Sequence, residues 1–411
     1  MFLAFVVNFI DRVNVSVAAL QMNRDLGFTA TAYGLGAAML SFGYTLFQVP
    51  SNLILARVGA RRWIAVLMVV WGGIASSMMF VRGTAGFYTL RFLLGAAEAG
   101  FFPGMMLYLT HWFPGAVRAR AVAAFMSAIP VAQAIGTLGS GLLLGLAGRG
   151  GLTGWQWLFL LEGLPAMVLG ALVFALLPDR PDQASWLPAV ERAWLEESLR
   201  EEGTQGTASG WPAVAAAFHD PDVWRLGAIW GVINLVGFGQ LYFLPQIIKG
   251  ASHLSDLAVA SLATVPPLAA VVAMLLIAAH SDRTGERRRY LVGTMLSTAL
   301  GFAATAAVLH SPVLAAIALS LVAVGIAGAF GPFWGLATAS LSGARAAGGI
   351  ALISSIGQLG APLGSVLVGR VRDVTGSFTA ALFSLAALAT IGALYARVTP
   401  VGSSGGSAAA R

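Results

Sequence analysis

The sequence predicts an all-α membrane protein of twelve transmembrane helices in two pseudo-symmetric bundles of six, and three observations predict it. Hydrophobic residues make up 58% of the 411-residue chain and charged residues 10%, with a mean hydropathy of +0.81, which leaves too few charges to cover a water-soluble surface. Long apolar runs separated by short arginine-bearing turns call for helices, because a barrel would show segments of about ten residues with alternating polarity. One long polar interval, 178–222, divides the runs into two sets of six.

The runs lie near 2–20, 31–56, 62–81, 86–110, 118–146 and 155–177, then near 223–248, 257–279, 289–309, 312–337, 347–369 and 377–397. The first lacks a basic leader and is broken by Asp11 and Arg12, so it is not a signal peptide. With so little chain ahead of Asp11, the natural N-terminus is expected to lie upstream or to be trimmed. The expected organisation is a first bundle over 1–177, a cytoplasmic linker over 178–222, a second bundle over 223–397 and a flexible tail over 398–411. Within the linker, Trp194, Leu195 and Leu199 recur at helical spacing among acids and arginines, which predicts a surface helix over 188–202.

Counting basic residues by side, with the N-terminus placed in the cytoplasm, puts sixteen of the 24 on the cytoplasmic face and six on the other, with Arg12 and Arg91 in the membrane. That bias predicts both termini inside. The +7 net charge is thus a matter of topology rather than a sign of nucleic-acid binding. Without cysteine there are no disulfides, thiolate metal sites or cysteine nucleophiles, and the five histidines, His111, His219, His253, His280 and His310, show no metal-ligand spacing. No P-loop, nucleophile elbow or dinucleotide fingerprint is present, so ATP-driven and enzymatic readings have no residues to carry them.

The stretch 86–114, GFYTLRFLLGAAEAGFFPGMMLYLTHWFP, places Arg91 and Glu98 deep in an apolar helix. An ionisable group at mid-bilayer costs at least about 2.5–3.5 kcal/mol, and such groups mark ion or substrate paths facing the bundle interior. Seven residues is close to two turns, so the two side chains share one face at a separation of roughly 10.5 Å, too far to pair directly. Gly95, Gly100 and Gly104 let neighbouring helices approach the same helix. Asp11 and Arg12 sit in the first helix about 100° apart; a self-neutralising structural pair is the plain alternative to function. Glu162 in the sixth run is open to a structural and a functional reading alike. Tyr108, Gln133, Asn234, Gln240 and Trp334 are each read as interhelical packing or hydrogen-bonding groups.

The two halves share a repeat: ARVGARR over 56–62 and SDRTGERRR over 281–289, the same R-x-G-x-R-R pattern at the same place in each half. Parallel six-helix repeats are one transporter plan, with the substrate site at mid-membrane. The pattern resembles the major facilitator superfamily, whose signature loop is G-x-x-x-D-R-x-G-x-R-R. The resemblance implies gating roles for Arg57, Gly59 and Arg61 in the first copy and for Asp282, Arg283, Gly285 and Arg287 in the second. The first copy departs from it, with Ala56 where an acid belongs and Asn52 where Gly belongs, which leaves Asp282 as the stronger gating candidate.

A narrower resemblance rests on ten strings in order, among them NFIDRVNVSVAALQMNRDLG, RFLLGAAEAGFFPGMMLYLTHWFP, LLEGLPA, LPDRP and HSDRTGERR. Together they resemble the anion:cation symporter family of that superfamily, carriers of tartrate, phthalate and sugar acids, commonly with protons. The resemblance implies Asp11 and Glu98 as proton-coupling carboxylates, Arg12 and Arg91 as anion-coordinating arginines, and Tyr44 as a cavity tyrosine. A guanidinium suits the task, meeting a carboxylate with two parallel hydrogen bonds. Where relatives often read INSIGNLGG, this chain reads ISSIGQLGA, with Ser354 and Gln358 at the two amide positions, so a changed substrate and neutral drift are both open. The fifth run lacks the G-P-x-x-x-G-G bend of many drug/proton antiporters, which favours symport. The expectation is a monomeric, multi-pass carrier of the inner (plasma) membrane that imports a small organic anion with protons, without a cofactor, driven by the proton gradient. The alternatives are a proton-independent uniporter or anion exchanger of the same fold and, from another class, a transport-dead sensor or membrane enzyme.

Overall fold

The computed structural model describes residues 1–114, 121–122, 124–179, 181–184, 186–203, 217–250, 252–341 and 344–399. Among them the regular structure is helical throughout: α1 (Phe2–Asp25), α2 (Ala30–Val58), α3 (Ala60–Ser77), α4 (Thr84–Glu98), α5 (Phe101–Trp112), α6 (Ala128–Leu144), α7 (Gly154–Leu176), α8 (Ala189–Gly203), α9 (Pro221–Gly250), α10 (Asp256–Ala263), α11 (Val265–Thr284), α12 (Arg287–Ala307), α13 (Pro312–Ser340), α14 (Ala344–Gln358), α15 (Gly360–Thr375) and α16 (Phe378–Val398), with three short 3-10 turns. Each predicted run overlies helix, and α8 occupies the interval in which the sequence predicts a surface helix. Eleven described segments are long and apolar enough to cross a bilayer. The remaining run is α2, whose 29 residues suffice in length but include Gln48, Ser51 and Asn52.

Four predicted spans are interrupted among the described residues, at Ala99 and Gly100, at Ser127, at Thr264 and at Leu359. Pro103, Pro267 and Pro362 lack the N–H that would bond to the carbonyls of Ala99, Ala263 and Gln358. Proline alone is not enough, because Pro50, Pro165, Pro245 and Pro332 lie within unbroken helices.

The chain forms two compact units, one of residues 1–28 and 39–206 and one of residues 29–38 and 207–411. In the first, α3 packs along α7, and α1 against α6 and α7. Phe5 stacks on Phe125 with ring centroids 4.4 Å apart, and Trp71 meets Phe101 edge-on at 5.0 Å. In the second, Trp230 stacks on Phe333 at 4.8 Å within a core that includes Leu226, Ile233, Met295 and Ile353. The first turn of α2 belongs to this second unit: Tyr33 Oη donates to the Tyr242 carbonyl at 2.9 Å, and Asp373 accepts from the N–H groups of Ala30 and Thr31 at 3.0 and 2.7 Å. Outward-facing Leu46, Val49, Leu53, Val168, Val272, Leu275 and Leu276 are exposed, as suits helices solvated by lipid.

Candidate functional site

α2 and α4 touch backbone to backbone. A Cβ on Gly95 would lie 1.9 Å from the Leu40 carbonyl oxygen, and one on Gly43 would lie 2.1 Å from that of Phe92, so only glycine fits at either position. Gly100 and Gly104 likewise face α2, at Ser51 and Leu55. This contact brings Tyr44 beside the face of α4 that carries Arg91 and Glu98, and α1 closes the cluster.

Arg12 Nε donates to Glu98 Oε2 at 3.2 Å, and its guanidinium lies 4.8 Å above the Tyr44 ring. Arg91 reaches α1 differently, its Nη1 donating to the Asp11 carbonyl at 3.4 Å. The spacing that keeps Arg91 and Glu98 from pairing on α4 is thus resolved by α1, which offers each a partner. Asp11, Arg91 and Glu98 are buried to within 1% of full burial, and Tyr44 is 8% exposed. The Arg12 side chain, at 13%, is the accessible member of the set. Two arginines and two carboxylates in one buried cluster can balance in charge, which makes their burial tolerable.

The other site residues lie elsewhere. Ser354 and Gln358 are half-buried on α14 of the second unit, where Gly357 between them seats against the Trp230 indole. In the first loop, Gly59 turns the chain with φ +91°, Arg57 is exposed, and Arg61 Nε donates to the Phe174 carbonyl at 2.7 Å. The Arg61 N–H bonds to Asp179 Oδ1 at 2.8 Å, so an acid from beyond α7 caps α3. In the second loop, Gly285 has φ +70° and Arg283 is exposed. Arg287 bonds to the Gly335 carbonyl at 2.6 Å, and Arg288 to the carbonyls of Ala396 and Thr399 at the end of α16. The side chains of Ala56 and Asp282 lie outside the described residues.

The plain readings of several polar groups have direct partners: Tyr108 Oη donates to the Pro178 carbonyl at 2.8 Å, Asn234 to Trp230 at 2.9 Å and Gln240 to Leu319 at 3.1 Å. Sequence reasoning missed Asp179 as the cap of α3. Its one signal was the polar LPDRP string just past the sixth run. It also missed Asn14, whose amide nitrogen lies 3.4 Å from Asp11 Oδ1, because an asparagine one turn along a polar helix face carries no signature of its own.

An all-helical, multi-pass membrane chain with a charged interior in one unit has the build of a membrane carrier. The family model of the Major Facilitator Superfamily matches residues 1–365, and the chain belongs to that superfamily. It is 47% identical over 393 residues to an Agrobacterium vitis protein named "Putative tartrate transporter", covering 95% of this chain and 87% of that protein. It is 37% identical to a quinolone resistance transporter of Acinetobacter baumannii, covering 94% of this chain and 89% of that protein. In fold it resembles the inward-facing, occupied crystal structure of a bacterial homolog of the human lysosomal transporter Spinster, with a TM-score of 0.76, 16% identity and coverage of 96% and 94% of the two chains. The chain is therefore a membrane transport protein for small organic substrates.

Proposed function

We propose that this transporter imports a small organic anion, a carboxylate of the tartrate type, together with protons, by alternating access in the plasma membrane with both termini in the cytoplasm. The observation that carries the reading is the Arg12–Glu98 pair at 3.2 Å, with Arg12 the accessible member of the buried set. A substrate carboxylate and Glu98 compete for the same guanidinium. When the substrate takes Arg12, Glu98 loses its charged partner and accepts a proton; when the proton leaves, Glu98 reclaims Arg12 and expels the substrate. Anion and proton then bind cooperatively, and linkage makes the effect reciprocal. Arg91, buried against α1, supplies the second positive charge, and Asp11 the second carboxylate. The name of the Agrobacterium vitis relative supports the substrate class. In this reading Ser354 and Gln358 contribute neutral donors that select the anion, and the loops at Arg57–Gly59–Arg61 and Asp282–Arg283–Gly285–Arg287 steady the conformations between which the carrier moves.

If two protons accompany a monoanion, one positive charge enters per cycle, and 100 mV of membrane potential adds about 2.3 kcal/mol to accumulation. The test is uptake of labelled tartrate into proteoliposomes under an imposed pH gradient. Glu98→Gln is expected to lose uphill uptake while still exchanging tartrate between preloaded vesicles and medium. Wild-type uptake that ignores the pH gradient would instead favour uniport or exchange.

A further inference from the structure

Two arginines, Arg12 and Arg91, stand with three acids, Asp11, Glu98 and Glu162, inside the helices of the first unit. Arg12 is engaged by Glu98 and Arg91 reaches the Asp11 main chain, while Glu162, on α7, takes its hydrogen bond from a neutral side chain. Ser140 Oγ, itself fully buried on α6, donates to Glu162 Oε1 at 2.7 Å, and Asn14 of α1 stands beside the same carboxyl. Asn14, 2% exposed, also lies 3.4 Å from Asp11 Oδ1, so one amide separates the two acids. Three buried oxygens then remain: Asp11 Oδ2, Asn14 Oδ1 and Glu162 Oε2 accept no hydrogen bond among the described residues.

All three are acceptors, and an ionised carboxylate cannot donate. A protonated carboxyl can, so one proton on either acid supplies the missing donor. A purely structural cluster would need no acid here, since an amide or hydroxyl at 162 would tie α1, α6 and α7 together without the cost of a carboxyl in the membrane. Other charges do not account for it. Of the elements packed on α7, α1 brings Asp11 and Arg12. α6 brings the hydroxyl of Ser140, and the 3-10 turn Met78–Phe80 brings no ionisable side chain. The charges of α3 are Arg61 and Arg62 at its start, with Arg61 held at Phe174, twelve residues or roughly 18 Å along α7 from Glu162. Arg91 and Glu98 stand beyond, on the α4 side of α1.

We propose that Glu162, across Asn14 from Asp11, is a further proton-binding station that takes up and releases one transported proton in each cycle, with Ser140 positioning it. The step is simple proton binding: an O–H bond forms on one carboxylate oxygen at the expense of a hydronium ion, and breaks when the proton returns to water. The station rests on the proton-coupled reading above and adds to Glu98 rather than replacing it.

The test is the ratio of proton to tartrate flux in proteoliposomes, read with a pH-sensitive dye and labelled tartrate. Glu162→Gln is expected to lower the ratio by one proton, and Ser140→Ala to keep the ratio while displacing the pH of half-maximal uptake. An unchanged ratio in Glu162→Gln overturns the station while leaving Glu98 coupling intact. A wild type that moves no protons overturns the coupled reading itself. If a sodium gradient drives uptake and Glu162→Gln abolishes that dependence, the station holds a different cation and the proposal fails. Should Glu162→Gln not fold, infrared difference spectra of Glu98→Gln with and without tartrate decide. The expected result is a carboxylic-acid C=O band that changes with tartrate and that Ser140→Ala displaces, and the absence of such a band overturns the proposal.

Discussion

The interiors of the two units differ in kind. The first buries Asp11, Arg91 and Glu98 with Arg12 at their edge, whereas the buried polar groups described in the second are neutral: Gln240, Ser281, Thr294, Thr298, Thr305, Ser365 and Thr399. Most of these bond to nearby main-chain carbonyls, as Thr298 does to Thr294 at 3.0 Å and Thr305 to Gly301 at 2.7 Å. A hydroxyl satisfied within its own turn asks nothing of its neighbours, but a buried guanidinium or carboxylate demands a partner from another helix. On the proposed reading, the first unit is a network that a substrate or proton rearranges. The second is a packed body in which single polar groups can be exchanged.

The sharpest way to break this comparison is to remove one polar group from each kind of interior. Arg91→Gln leaves buried acids uncompensated, at a cost of about 3–5 kcal/mol, or on the order of 10²- to 10⁴-fold. Both uphill uptake and exchange of tartrate should be lost. Gln240→Leu forfeits one hydrogen bond to Leu319, worth about 1 kcal/mol, and should lower thermal stability while transport persists. Equal transport defects in the two variants would erase the distinction.

A smaller effect is expected at Ser354 and Gln358. Replacing both with Asn changes donors in the neutral unit only, so the preference for tartrate over phthalate should shift by roughly tenfold, the worth of one hydrogen bond. The proton-to-anion ratio should stay fixed. A changed ratio would show that the second unit takes part in coupling.

The smallest effect concerns the loops. Asp179→Ala removes the cap of α3 and should cost about 1 kcal/mol. Arg288→Ala removes bonds to the carbonyls at the end of α16 and should cost a similar amount. Thermal unfolding in detergent checks both. A much larger loss at one loop would show that the two copies of the repeat differ in weight as well as in partners.

Much of the architecture was legible because the bilayer imposes a simple rule: a span is long and apolar, and a charge inside it is exceptional. Arg91 and Glu98 stood out on that ground alone. The partners were not legible. Arg12 meets Glu98 across 86 positions of sequence, and Ser140 meets Glu162 across 22, with no local pattern announcing either pair. Asp179 illustrates the same limit. The first loop departs from the family pattern at Ala56, and the acid that reaches the start of α3 comes from 118 residues further on. The breaks at Gly100, Ser127, Thr264 and Leu359 were missed because hydropathy continues smoothly through them, while the hydrogen-bond ladder does not.

By itself the sequence determined that this chain is a multi-pass helical membrane protein, that a loop motif occurs twice along it, and which side chains carry charge into the membrane. Composition and periodicity suffice for the spans and their charges, since burial in lipid depends on each segment alone, whereas the carrier reading rested on the resemblance of the motifs to a family. Only the tertiary structure decided that Arg12 rather than Arg91 holds Glu98, and that Asn14 stands between Asp11 and Glu162. Those choices depend on how closely helices approach, and that distance is set where Gly43 and Gly95 allow α2 and α4 to meet with no side chain between them.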